Sequence, residues 1–222
     1  MARQKLPRGR LLLSVYRRLY RHYGDRNWWP ADSPFEVMVG AVLTQNTAWT
    51  NVERAIANLK SNRALDAKVL AELSPQLLAE WIKPSGYFNI KAKRLQNFCR
   101  WYVAQNGYRE LQKESTDILR TALLSVNGVG PETADDILLY AFDRPVFVID
   151  AYTRRLMSRL GILDGDQDYE SLRAAFESAL QPDVTLFNQY HALIVEHGKN
   201  ICRPRPRCGD CVLRSDCPGA IH

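Results

Sequence analysis

Residues 123–140 read LLSVNGVGPETADDILLY, and this stretch decides the fold. An apolar helix ends near Val126, a tight turn follows at Asn127-Gly128-Val129-Gly130, and a second helix is entered through Pro131. Glycine at 128 and 130 permits positive φ and close approach by another backbone. Pro131 suits a first helical turn, where its missing N–H costs nothing. The amides of such a turn and of the helix start point outward together, which makes an anion site suited to a phosphate. An ordinary αα-corner closed by glycine accounts for this segment equally well. Directly after the turn stands an acid, Glu132.

Outward from the hairpin, the chain reads as helical almost throughout. Apolar residues recur at helical intervals in PFEVMVGAVLTQNTAWTNVERAIANLK, with Ser33 as a cap and Pro34 in the first turn. Further helical periods lie near 66–72, 75–82, 90–104, 116–125, 132–141, 151–160, 168–179 and 184–198. KPSGYFN and GILDGDQ break them with proline or glycine. One short β-like run, PVFVI, stands between helices. The expectation is an all-α protein with no internal repeat.

The 222 residues carry 30 Lys and Arg against 24 Asp and Glu, a net charge of +6. The excess is uneven: seven basic residues and no acid precede Asp25, and five basic residues face Asp210 alone between Lys199 and Arg214. Two basic ends suit a polyanionic partner, although solvated tails explain the charge equally well. LLLSV, followed at once by Tyr16, Arg17 and Arg18, is too short for a secretion signal. A transit peptide is the weaker alternative for this acid-free, Arg-rich segment. No run approaches the roughly 20 apolar residues of a membrane span. A soluble, cytoplasmic and nucleoid-associated protein with no membrane partner is expected.

Four of the five cysteines crowd into CRPRPRCGDCVLRSDC: Cys202, Cys208, Cys211 and Cys217, spaced C-x5-C-x2-C-x5-C. Inside an intracellular chain such crowding favours metal ligation over disulfides. A [4Fe–4S] cluster suits one CxxC flanked by longer gaps, with Zn²⁺ a serious rival on spacing alone. Arg203, Arg205 and Arg207 alternate with prolines that stiffen the loop and project the charges at fixed points, as phosphate contacts require. Cys99, alone in NFCRW, reads as a small core residue.

Taken in order, these pieces resemble the helix-hairpin-helix DNA glycosylase superfamily of the endonuclease III group. PFEVMVGAVLTQNT resembles its glutamine-bearing helix and loop, NGVGPETA its hairpin, VFVIDAYTRRLMSRLGI its catalytic-aspartate segment, and EHGKNIC the lead into its cluster loop. The first cysteine gap is five residues where the family pattern has six. WWPADSPFEVMVGAVLTQNTAW and IKPSGYFNIKAKRL are similar to the 3-methyladenine DNA glycosylase branch. The resemblance implies two helical lobes flanking a DNA-binding cleft: a six-helix bundle over 33–142, and a second lobe from 1–32 and 143–222 with the cluster loop at 202–217.

The resemblance also assigns roles. Asp150 is the expected catalytic carboxylate, a role compatible with its alternative as a helix N-cap. Gln45 matches the wedge that fills the space left by a flipped nucleotide, where an ordinary polar loop residue is the plainer reading. Asn127, Gly128, Gly130 and Thr133 of the hairpin, with Arg203, Arg205 and Arg207, are the expected DNA contacts. Trp28, Trp29 and Trp49 match the branch's pocket positions, with Pro30 shaping the wall and Glu132 adding negative potential. Core packing is the bland alternative for tryptophan. Bifunctional relatives have a lysine where Glu132 stands, and a carboxylate cannot form a Schiff base. The expectation is a monomeric, monofunctional glycosylase that hydrolyses alkylated purines such as 3-methyladenine and 7-methylguanine out of double-stranded DNA. The alternatives are a mismatch uracil or thymine glycosylase, a bifunctional glycosylase/lyase, and a non-catalytic DNA-binding protein.

Overall fold

A computed structural model of the protein describes residues 8–221. Arg3 and Lys5 of the basic N-terminal run lie outside this range. Among the described residues there are twelve α-helices and no strand. No helix among them is long and apolar enough to cross a membrane. The helices form two compact units. One runs from Trp29 to Arg144, and the other joins the segment before it to the segment from Pro145 onward.

The Trp29–Arg144 unit holds α2 (Pro34–Leu43), α3 (Trp49–Ser61), α4 (Ala67–Glu72), α5 (Pro75–Trp81), α6 (Phe88–Ala104), α7 (Tyr108–Leu111), α8 (Thr116–Leu124) and α9 (Pro131–Ala141). Ser33 caps α2 as expected, its hydroxyl accepting from the Glu36 amide at 3.2 Å. Most of α2 is buried, including Met38, Val39, Val42 and Leu43, because it packs against α3, α6 and α9. The long helical stretch beginning at Pro34 is divided by a turn at residues 44–48, where Asn46 takes a left-handed φ of 54°. Lys91 secures the start of that turn from below. Its buried ammonium donates to Leu43 O at 2.8 Å and to Ser85 O at 2.6 Å. Burial first, and then the charge of Arg94, lower its pKa to about 8.

The hairpin is α8–turn–α9. The Val129 amide donates to Val126 O at 3.0 Å, and the Ala134 amide to Gly130 O at 2.9 Å. Across it, Arg120 clamps the fully buried Asp135 with two bonds, at 2.7 and 3.1 Å. The two glycines differ. Gly128 has φ +101°, and a Cβ there would lie 2.3 Å from Arg94 Cγ, so this position needs glycine for both conformation and space. Gly130 corrects the sequence expectation. Its φ is −96° and nothing lies within 4 Å of where its Cβ would be, so its service is an open front to α9. Gly128→Ala is therefore expected to cost about 2 kcal/mol, and Gly130→Ala far less, measured by chemical denaturation.

The second unit holds α1 (Arg8–Tyr23), α10 (Ala151–Arg159), α11 (Tyr169–Ala179) and α12 (Val184–Asn200), then the cysteine loop. Leu12, Val15 and Leu19 bury one face of α1 against α11 and α12. Tyr190 of α12 is fully buried and donates to Leu12 O at 2.8 Å. PVFVI forms neither helix nor strand. Phe147 stacks on Phe176 at 4.0 Å, and side chains take up its amides: Glu177 accepts from Phe147 N at 3.0 Å and the Tyr169 hydroxyl from Ile149 N at 3.4 Å. Its apolar run is thus core filling that leads directly to Asp150.

Candidate functional site

In the Trp29–Arg144 unit, Gln45 is tied to the hairpin. Its Nε2 donates to Gly128 O at 3.1 Å and to Thr133 Oγ1 at 3.0 Å, while Arg94 donates to its Oε1. Four segments thus meet on one amide: the turn after α2, α6, the hairpin turn and α9. Arg94 was not singled out in the sequence, since one arginine among the many on a helix carries no distinguishing signal. Thr133 is buried with its hydroxyl turned inward to Gln45, while Asn127 is exposed and accepts from Asn97 Nδ2 at 3.2 and 3.3 Å. Gly130 offers α9 no side-chain cap, which leaves the amides of the first turn facing the open front. Glu132 sits exposed in that turn.

Near the same helix lies an aromatic set. Trp29 and Trp49 meet edge-to-face at 4.8 Å, and Trp29 meets Tyr140 of α9 at 5.2 Å. Gly40 makes room for the indole, since a Cβ there would lie 3.2 Å from it. Both tryptophans are half-buried, and Pro30 is exposed. Trp28 is half-buried too but belongs to the other unit. Tyr140 was missed in the sequence, since a tyrosine within the apolar run DILLYAF reads as core. Tyr87, left-handed at φ 45° and 68% exposed, and Ile90 also went unremarked in GYFNI.

Asp150 begins α10 in the second unit. One carboxylate oxygen caps the helix, accepting from the Thr153 amide at 2.7 Å. The other faces His191 Nε2 at 3.6 Å, and 12% of the side chain remains exposed. Burial alone would raise the Asp150 pKa, but the His191 imidazole and the Thr153 amide outweigh it and hold the carboxyl below its ordinary value. The result is an ionised carboxylate in a largely dry setting. His191 was missed because a histidine within an apolar helix face is indistinguishable in sequence from an ordinary core residue.

The four cysteines line one open pocket, together with Leu156, Leu160, Pro206 and Leu213. No three His, Cys, Asp or Glu side chains among the described residues are placed to hold a single ion. Four cysteines lining one pocket are the residues that could hold a metal centre. Burial and then the charges of the neighbouring cysteines push the Cys211 and Cys217 thiols up, a penalty that a cationic centre would offset. Around the loop, Arg159 donates to Cys202 Sγ at 3.4 Å, Arg203 O at 2.7 Å and Pro204 O at 2.9 Å. Arg18 of α1 reaches Asp216, Val212 O and Ser215 Oγ. Arg203 and Arg207 are exposed and Arg205 is exposed beside half-buried Pro206. His197 is fully buried, its pKa lowered to about 4 by burial and then by His22, whereas burial raises Tyr23 to about 12.

Residues 39–182 match the model of the HhH-GPD superfamily base excision DNA repair proteins. A Methanocaldococcus jannaschii protein that carries the provisional name DNA repair glycosylase is 47% identical over 93% of this chain and 96% of its own. Endonuclease III of Thermotoga maritima is 32% identical over 83% and 82%. Among solved structures, the H. pylori 3-methyladenine DNA glycosylase MagIII, bound to 1,N6-ethenoadenine, is similar at 30% identity and TM-score 0.76, over 87% of this chain and 98% of that one. An endonuclease III–DNA complex shares the fold at TM-score 0.82 and 19% identity. With the hairpin, the all-helical architecture and these matches in agreement, the chain belongs to the HhH-GPD superfamily of base excision DNA repair proteins, as a DNA glycosylase.

Proposed function

We propose that this glycosylase binds double-stranded DNA and releases alkylated purines by hydrolysis, leaving the strand intact. The observation that carries the substrate class is the edge-to-face Trp29–Trp49 pair with Tyr140 beside it, half-open and next to a helix that begins with an acid. N3- or N7-alkylated purines are cationic, so electron-rich ring faces favour them. They depart as neutral bases, so little acid catalysis is required. The relationship to a 3-methyladenine DNA glycosylase supports the same class.

Asp150 is the proposed catalytic group. Its ionised carboxylate stabilises the positive charge that grows on the sugar and orients the attacking water. Glu132 supplies no amine, so water is the nucleophile. Lys91, whose lowered pKa would otherwise make it a candidate, is committed to two carbonyl oxygens. The open first turn of α9 and Asn127 take a DNA phosphate, Gln45 leaves its bonds to Gly128 O, Thr133 and Arg94 to fill the vacated stack, and Tyr87 offers an exposed ring for stacking. Cys202, Cys208, Cys211 and Cys217 would hold a [4Fe–4S] cluster, and the loop they anchor presents Arg203, Arg205 and Arg207 to the backbone.

Incubation of the purified protein with methylated duplex DNA tests this reading. 3-Methyladenine or 7-methylguanine should appear free, the strand should stay unnicked, and borohydride should trap no adduct. Release of uracil or thymine from mismatches with guanine, but no methylated base, would favour the mismatch alternative. A trapped covalent adduct would establish a lyase.

A further inference from the structure

A path of two side chains, half-buried Tyr23 and fully buried His197, leads to one of the four cysteine sulfurs. His197 of α12 places Nε2 3.4 Å from Cys211 Sγ and Nδ1 2.9 Å from the Tyr23 hydroxyl at the end of α1. The rings of Tyr23 and His197 meet edge-on at 5.9 Å, which holds the pair in register. A cysteine that ligates a metal does so as a thiolate, which accepts hydrogen bonds and donates none. His197 must then present Nε2–H to Cys211. A neutral imidazole with its proton on Nε2 has a bare Nδ1, which is an acceptor only. Tyr23 must therefore donate its O–H to Nδ1. The direction of every proton in the chain follows from the charge of the sulfur at its end. The Leu213 amide adds a second donor to the same sulfur at 3.4 Å.

We propose that Tyr23 and His197 form a hydrogen-bond relay to Cys211, with Tyr23 selecting the His197 tautomer whose N–H withdraws electron density from the cluster-ligating sulfur. The relay rests on the reading of the cysteine loop as a [4Fe–4S] site. Both are positioning residues: neither touches the metal, and both act through the orientation of one N–H. An N–H···S bond stabilises the more electron-rich state of the ligand. The relay thus raises the cluster's reduction potential and slows its extraction.

The test uses the anaerobically purified holoprotein and the variants His197→Leu, His197→Gln and Tyr23→Phe. Iron and sulfide content, potential by voltammetry, and the rate of cluster loss to a chelator are measured for each. His197→Leu should lose its cluster about tenfold faster and show a more negative potential. Tyr23→Phe should shift both in the same direction by less. His197→Gln keeps an amide N–H and should return most of the difference. Wild-type potential and loss rate in both Tyr23→Phe and His197→Leu would overturn the relay. If His197→Leu fails to assemble, unchanged values in Tyr23→Phe overturn it alone. His197→Gln behaving no better than His197→Leu would also overturn it, since packing would then explain the loss. Wild-type protein without iron and sulfide would overturn the cluster reading itself, which distinguishes that failure from failure of the relay.

Discussion

Asp150→Asn should lower base release by about a thousandfold while leaving the fold and DNA binding intact. The substitution separates two roles that coincide on one side chain. Asparagine caps a helix about as well as aspartate, and its carbonyl can still accept from the Thr153 amide that Asp150 holds at 2.7 Å. What it lacks is charge. A chemical-denaturation midpoint near that of the wild type, together with lost turnover, would assign the carboxylate to chemistry. Near-normal turnover would remove Asp150 from the mechanism. The pH dependence gives a second check. The carboxylate works ionised, so activity should fall as pH drops through its pKa. His191 helps hold that pKa below the ordinary value. His191→Ala raises it, so the acidic limb of the kcat/KM profile should move to higher pH.

The other large effect is expected at the cysteine loop. Cys208→Ser should leave the protein with little iron and weaken its hold on DNA. Cys208 lines the cavity with the other three sulfurs, and the loop around it has few apolar groups of its own to enforce its path. Arg159 of α10 holds only the start of the loop, at Cys202 Sγ, Arg203 O and Pro204 O, so loss of a metal centre at the four cysteines should loosen the arginine-bearing stretch that follows. If Arg203, Arg205 and Arg207 each meet one phosphate, the slope of log affinity against log salt should shrink by about 3. Fluorescence anisotropy across a salt series reads this directly. Full iron content with an unchanged slope would deny both the ligand and the link.

The hairpin was legible because its signals are chemical punctuation: glycine where φ turns positive, proline where a helix begins. Even so, the sequence could not tell that Gly128 is the strained position and Gly130 only an open one, because Arg94's stem, 34 residues earlier, makes the difference. PVFVI was recognisable as non-helical, but not that side chains rather than a neighbouring strand would satisfy its amides. Asp150 stood out through its segment. His191 and the Tyr23–His197 pair did not, since their partners come from helices 41 and 174 residues away in the chain. Periodicity reports which face of a helix is apolar. It is silent on which polar atoms meet there.

Tyr190 donating to Leu12 O joins residues 178 positions apart. During synthesis from the N-terminus, α1 therefore leaves the ribosome long before α12 exists, with its Leu12–Val15–Leu19 stripe uncovered. The segment from Trp29 to Arg144 suffers no such delay, because its helices pack extensively on one another within it. Vectorial folding thus has a built-in order. The inner segment can condense while translation continues, and the outer one closes only when the last long helix arrives.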